Sequence, residues 1–504
     1  MGFNSFNFIT IFMPILLVVW HLLNSAKKYL IADIFLIGMS LYYYYSFGAS
    51  FMLTLVGSCA VNYVLSFFME KAPGKRKLLG ALGVVFNLGL LFYFKYLGFF
   101  VDNINALTGG SFSVKEILMP IGISFFTFGQ ISFIVDRSRS EAPHYGLSDY
   151  ALYMTYFPKL IQGPIAFHKE MIDQFRDRTK RAFNSDMFAR GMMSFTIGLG
   201  KKVLLADTLS KSVNYGFQYT YFLDTITVIV VMLAYTFQIY LDFSGYCDMA
   251  QGISMMLGFG LPDNFNSPYK AESAKQLWQR WHMTLSRFFI KYVYIPLGGS
   301  RRGKVRTIIN VLIVFVLSGL WHGAGWTYIC WGLIQGLLVV WDDLGIVGIK
   351  DSTDKKLRYL LFEKPLLMVP KALSNAMTFI MFVVSLVFFR SQNLTYAFQM
   401  FKRLFFWTYP GFLYRTVNQL EIAENYVLRQ IVSRLGIANG ETYVCLVTMM
   451  ILLAVSGFIM TRKNTRQIVE ETDFSRGRVI ALAVLFVWSF ISLSNVSTFI
   501  YFQY

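Results

Sequence analysis

WQRWHMTLSRFFIKYVYIPLGGSRRGKVRTIINVLIVFVLSGLWHGAGW, residues 278–326, passes from an aromatic, basic segment into an apolar run and ends beyond a histidine. The run that begins near Ile308 has the composition of a lipid-embedded helix, and His322 closes it between Trp321 and Gly323. An ionised side chain at bilayer depth costs roughly 2.5–3.5 kcal/mol on the insertion scale, so a titratable ring there calls for a partner or a task. The tryptophan can wall off water, and the glycine lets a substrate or a backbone come close. His282, another of the chain's five histidines, sits in RWHMTLS at the other end of the stretch. One histidine therefore belongs to a membrane span and the other to a basic interfacial segment.

Composition extends this to the whole chain. Of 504 residues, 55% are hydrophobic and only 15% charged, with mean hydropathy +0.50, too apolar for a soluble protein of this length. The fold class expected is all-α, a polytopic membrane helix bundle. A spanning helix needs about 20 apolar residues. Such runs occur near 6–25, 29–47, 50–69, 78–101, 118–136, 188–209, 221–241, 306–321, 325–342, 374–391, 441–461 and 477–497. With the N-terminus outside, Lys27–Lys28, the MEKAPGKRK loop at 69–77 and Arg137–Arg139 all fall in the cytoplasm, as the positive-inside rule asks. The first run lacks a basic n-region and a cleavage site, so it reads as a span and not as a signal peptide.

The formal charge of +18 is scattered in short clusters between apolar runs and forms no single basic face. Topology-setting loops account for it; nucleic acid is not an expected partner. Cys59, Cys247, Cys330 and Cys445 make no CxxC pair, so neither a disulfide framework nor a thiolate metal site is indicated.

Three regions break the alternation of spans and loops. In 149–165, Pro158, Gly163 and Pro164 interrupt helical hydrogen bonding, and a full span there would strand the following basic residues outside. A re-entrant segment is expected, buried in protein or lining a cavity. No simple span fits 242–304, where glycines, prolines and polar residues mix with short apolar pieces and Arg280, Arg287 and Lys291 hold the chain near the inner face. By alternation 393–440 is external, either an amphipathic surface or a solvated loop.

Most familiar catalytic signatures are absent: no HExxH, GxSxG, Walker loop or GxGxxG after a strand. His144 and Asp149 have a His-x4-Asp spacing but no second motif, so chance explains it. His322 and His282 have no carboxylates at ligand spacing, which leaves no expected metal. General base catalysis suits them better, since an imidazole with a pKa near 6.5 can take a proton from a hydroxyl that attacks a thioester. A histidine merely bonded to a neighbouring helix is the structural alternative. Asp242, in YLDFSGYCDMA with Ser244, lies at the end of an apolar span. It can pair with Arg280, orient a histidine, or face water. Asn264 and Asn266 in PDNFNSPY offer amides near a proline-bounded turn.

YLDFSGYCDMAQGISMMLGFGLPDNFNSPY, LWQRWHMTLSRFFIKYVYIPLGGSRRG and SGLWHGAGWTYICWGLIQG together resemble the membrane-bound O-acyltransferase (MBOAT) family, in its alginate O-acetyltransferase-like branch; LMPIGISFFTFGQISFIVD and TYFPKLIQGPI add to the likeness. The resemblance implies one integral membrane domain over 1–504, with a core at 80–345, C-terminal helices and an external loop at 374–504, re-entrant segments, and a central funnel or tunnel. It implies that His322 is the family's invariant histidine and His282 its second, with Asp242, Ser244, Asn266, Arg280, Trp281 and Trp321 on the substrate and donor side. No bound cofactor is implied. The donor would be acetyl-coenzyme A or an acyl carrier protein thioester in the cytoplasm. The acceptor would be a cell-envelope polysaccharide or an extracytoplasmic SGNH-type esterase or transferase partner, in a bacterial cytoplasmic membrane. Ile290–Lys291 and Gln335 depart from the branch, where an Arg-Asp pair and a histidine are usual. D-alanyl transfer toward teichoic acids is the sister activity, and a transporter moving solute past His322 the non-enzymatic reading.

Overall fold

The computed structural model describes every residue except 116, 354–359, 363, 421, 496–498 and 500–504. Among the described residues, seven helices are long and apolar enough to cross a bilayer: Phe8–Ser25, Ala49–Lys71, Pro73–Thr108, Thr225–Met256, Lys304–His322, Lys371–Arg390 and Gly440–Thr461. The other expected runs are helical too, at Tyr29–Tyr45, Ile123–Ser138, Ser185–Gly200, Trp326–Leu344 and Arg476–Ile491, but they are shorter or less apolar. Ile123–Ser138 is buried on nearly all sides, so protein rather than lipid surrounds it. The described strands are one short parallel pair, Val347–Ile349 with Leu367–Val369.

Thr225–Met256 is one 32-residue helix, about 48 Å long at 1.5 Å per residue. The segment beginning at Asp242 thus continues a helix through Met256, where the sequence suggested irregular chain. Its glycines are contact points. A Cβ added at Gly245 would meet the Gly198 carbonyl oxygen at 2.8 Å, and one at Gly252 would meet that of Gly191 at 2.5 Å. Small residues that let backbones touch are how helices associate without a hydrophobic drive between them. Its acids are paired as well: Asp242 takes a hydrogen bond of 2.6 Å from Lys202, which also reaches Asp207 at 2.7 Å, and Asp248 takes one of 2.7 Å from Lys201. Lys202 and Asp242 are both buried, so Asp242 neither faces water nor pairs with Arg280.

Beyond Met256 the chain is irregular, as expected, with a 3-10 turn at Pro268–Lys270, short α-helices at Ala274–Trp278 and Met283–Phe289 and a wide π-type turn at Ile290–Tyr294. Glu272 ties this region to the Lys371–Arg390 helix by accepting from Ser352 Oγ at 2.7 Å and Thr353 N at 3.1 Å and pairing with Lys371 at 3.0 Å. Burial alone would push its carboxyl up, but the bonds from Thr353, Ser352 and Lys371 outweigh it and hold the pKa at about 2.

The break near Pro158 starts at Tyr156, between Leu147–Thr155 and Phe157–Leu160. Tyr156 and Phe157 are fully buried, and a Cβ at Gly163 would meet the Pro158 carbonyl oxygen at 2.4 Å. Irregular backbone at this depth is sheathed by protein, as it must be. The region 393–440 is not a plain solvated loop. It forms Leu394–Arg403, Gly411–Val417 and Asn425–Arg434, which bury Ala397, Met400, Leu413 and Val417.

Candidate functional site

His322 is the last residue of Lys304–His322, and Gly323–Gly325 separates it from Trp326–Leu344. The two helices touch through backbone: a Cβ at Gly319 would meet the Tyr328 carbonyl oxygen at 2.2 Å, and one at Gly332 that of Phe315 at 2.3 Å. This contact fixes where the histidine ends up. The space left by Gly323 is taken by the Tyr328 ring, 2.1 Å from where its Cβ would stand, and not by a substrate.

The His322 ring is 3% exposed and surrounded by aromatic groups. Its centroid lies 4.8 Å from that of Trp321, 5.2 Å from Phe389, 5.3 Å from Trp331 and 6.3 Å from His282. The indole N–H groups of Trp321 and Trp331 are buried with no hydrogen-bond acceptor among the described residues. A buried donor left unmet costs about 1–3 kcal/mol, which makes both available to an acceptor that forms beside the histidine.

His282 is wholly buried and adopts φ +46°, a left-handed conformation that non-glycine residues seldom take, immediately before Met283–Phe289. Asn264 holds it. The Asn264 Oδ1 lies 3.2 Å from His282 Nδ1 and accepts from Thr284 Oγ1 at 2.7 Å and Thr284 N at 3.3 Å. Its Nδ2 donates toward Cys247 Sγ at 3.4 Å, which sets the orientation of the amide. Because Oδ1 can only accept, Nδ1 of a neutral His282 carries the proton, and Nε2 presents its lone pair. Phe243, at 4.8 Å between centroids, packs edge-on against the ring.

Of the residues singled out in the sequence, the structure brings together His322, His282, Asn264 and Trp321, with Asn264 bonded to His282 and the Trp321 ring 5.9 Å from that of His282. It does not gather the rest. Trp281 packs on Phe265 and Phe382. Asp242 bonds Lys202, and Ser244 accepts from Lys201 at 3.5 Å. Asn266 is exposed and bonded to Asn464 at 3.1 Å. Arg280 is half-buried and lines a cavity of about 650 Å³ with Lys270, Glu272 and Lys371. A cavity of about 1,250 Å³ lies away from the histidines, lined by Ile451, Val455, Leu485 and Trp488 of the C-terminal helices.

Two departures from the family pattern have structural roles. Gln335 accepts from Trp278 Nε1 at 3.1 Å and donates to Ser385 at 2.6 Å, and Lys291 pairs with Asp136 at 2.9 Å. Asp136 also faces His168 Nε2 at 3.2 Å, a buried pair that sequence reasoning missed. Asp149 pairs with Arg176, at 2.6 Å, while His144 rests near the rings of Tyr63 and Phe67. The described residues hold no cluster of metal ligands. Trp331, Lys95 and Tyr96 were also missed; a lysine inside an apolar run was the one signal that pointed to any of them.

The family model of the membrane-bound O-acyltransferases matches residues 39–361. The chain is 32% identical to a peptidoglycan O-acetyltransferase of Helicobacter pylori, over 100% of this chain and 97% of the relative. It is 36% identical to a probable alginate O-acetylase AlgI of Pseudomonas aeruginosa, over 80% and 75%. A teichoic acid D-alanyltransferase of Streptococcus thermophilus is 25% identical over 45% of this chain and 58% of its own length. The family-model match over 39–361 and the two O-acetyltransferase relatives over 80–100% of the chain place the protein in the membrane-bound O-acyltransferase family as an acyltransferase.

Proposed function

We propose that this chain moves an acetyl group from a cytoplasmic thioester to a hydroxyl of a cell-envelope polysaccharide, or to an extracytoplasmic partner that passes it on. One observation carries the reading: two buried imidazoles, 6.3 Å apart between centroids, in an aromatic enclosure at the end of a membrane helix. His322 takes the proton of the acceptor hydroxyl as its oxygen attacks the thioester carbonyl. A C–O bond forms, the tetrahedral oxyanion collapses, the C–S bond breaks, and the departing sulfur receives the proton. General base catalysis contributes about 10²–10⁴-fold, and the unmet N–H groups of Trp321 and Trp331 are the nearest donors for the oxyanion. His282, with Nδ1 held by Asn264, offers Nε2 as a second base.

Arg280 and Lys270 line one cavity, which suits the phosphates of coenzyme A or of a carrier protein's phosphopantetheine. The Lys371–Arg390 helix joins that cavity at Phe379 to the His322 ring at Phe389, ten residues or about 15 Å apart, a span that a flexible thioester arm has to cover. D-alanyl transfer is the second reading, favoured by the teichoic acid relatives but over less than half of the chain.

The test is His322→Ala in membranes at matched protein level, with alkali-released envelope acyl esters measured. Acetate release falling to background is expected, and unchanged release overturns the reading. Labelled acetyl-coenzyme A against acetyl-loaded carrier protein identifies the donor. D-alanine in place of acetate selects the second reading.

A further inference from the structure

A helix leaves its last carbonyls without partners of its own. At the end of Lys304–His322 three consecutive ones are met from a different span. Tyr96 Oη donates to the Leu320 oxygen at 3.0 Å, and Lys95 Nζ donates to those of Trp321 at 2.6 Å and His322 at 3.1 Å. The third proton of the ammonium points at Ser124 Oγ, 3.4 Å away. Lys95 and Tyr96 lie in Phe92–Tyr96, a π-type turn within the membrane-crossing Pro73–Thr108. Widened turns of this kind occur often at functional sites.

Two features set this apart from ordinary capping. Lys95 is a cation inside a span, and none of its partners among the described residues is a carboxylate. Such a residue is expensive to place in lipid. It also meets the negative end of the helix dipole, at the residue that carries the candidate base. The clamp reaches only the carbonyls of the final turn.

Resting on the acyl-transfer reading above, we infer that Lys95, aided by Tyr96, is a positioning residue: it pins the end of the histidine helix and so fixes where the His322 ring stands. Both the hydrogen bonds and the charge are used. Loss of Lys95 therefore slows turnover with little effect on donor binding, since an error of about 1 Å in a reacting group can cost 10²-fold.

The test compares Lys95→Met, Lys95→Gln, Lys95→Arg and Tyr96→Phe in the full-length protein purified in detergent, with His322→Ala as control. Kinetics use whichever labelled thioester, acetyl-coenzyme A or acetyl carrier protein, supports His322-dependent transfer. Expected are a kcat reduced about 10²-fold in Lys95→Met with KM within about twofold, partial recovery in Lys95→Gln, fuller recovery in Lys95→Arg, and a loss of a few-fold in Tyr96→Phe. Equal activity of Lys95→Met and the parent overturns the inference, as does an equal loss in all three Lys95 variants. Hydrogen exchange over residues 319–325 judges the clamp independently of turnover, with faster exchange expected in Lys95→Met and Tyr96→Phe. Unchanged exchange in both overturns it. If no thioester gives His322-dependent transfer, the functional reading fails while the exchange result still decides the clamp.

Discussion

Asn264→Ala is the sharpest probe of the site, because one oxygen serves three groups. Its Oδ1 meets His282 Nδ1, Thr284 Oγ1 and Thr284 N, all buried. Truncation leaves up to three buried donors unmet at about 1–3 kcal/mol each. The Thr284 hydroxyl can rotate toward a backbone carbonyl, so a net loss of about 3 kcal/mol is expected. The effect on turnover is separate. A net bond of about 1 kcal/mol biases the neutral ring toward the Nδ1–H tautomer by roughly fivefold; without it, less of the enzyme presents Nε2 as a base. For tautomers otherwise equal, the share of rings presenting Nε2 falls from about five-sixths to about half, so transfer per folded molecule should fall about twofold, with Asn264→Asp recovering most of it because a carboxylate still accepts from Nδ1. The assay is labelled acetyl transfer normalised to monodisperse protein, for Asn264→Ala, His282→Ala and the double variant. If the tautomer is the route, the double variant is no slower than His282→Ala alone. Full turnover in Asn264→Ala, or losses that add, would refute the reasoning.

Three further outcomes follow from the packing. Lys202→Met removes the buried cation that reaches both Asp207 and Asp242 and should cost about 3–5 kcal/mol, read as a lowered unfolding midpoint in detergent; Asp242→Asn should cost clearly less, since the Lys202–Asp207 pair remains. Gly319→Ala puts a methyl 2.2 Å from the Tyr328 carbonyl oxygen, so the two helices must part; folded yield and transfer should both fall, whereas Gly57→Ala, with nothing within 4 Å, should leave both unchanged. Glu272, held at about 2 against roughly 4.3 in an unfolded chain, stabilises fully above the unfolded value and loses that contribution as pH falls through 2. Glu272→Gln should therefore lower the midpoint at pH 7 and converge on the parent near pH 2.

The bundle was legible because lipid allows so few spanning structures that hydropathy alone selects one of them. The break at Pro158–Pro164 was legible for the same reason. Misreading began where local composition and tertiary contact disagree. Gly245, Gly252, Asp242 and Asp248 look like the end of a helix, yet Gly198, Gly191, Lys202 and Lys201 stand opposite them and turn each apparent weakness into a contact. Those partners lie 40 to 61 positions earlier in the chain, where no periodicity connects them to the long helix.

The amides show the same limit at a single site. Asn266 N donates to the Arg280 oxygen at 2.9 Å, and Met283 N to the Asn264 oxygen at 3.0 Å, so the turn after Pro262 runs beside the segment that carries His282. The chain bends at Asn264 and again at Asn266, so the two amides leave it in different directions. Phe265, the one between, packs on Trp281 and Phe243; Asn264 is turned in to His282, and Asn266 reaches out to Asn464. Composition rates the two asparagines alike, and only their register against residues 280–283 separates them. Deletion of Asp263 would shorten the turn that pairs Asn264 and Asn266 with residues 280–283 and draw the Asn264 amide away from His282, so labelled transfer should fall as it does in Asn264→Ala, and unchanged transfer would refute this account of the turn. His322 should survive it in place, since the contacts at Gly319 and Gly332 that set its position lie outside the turn.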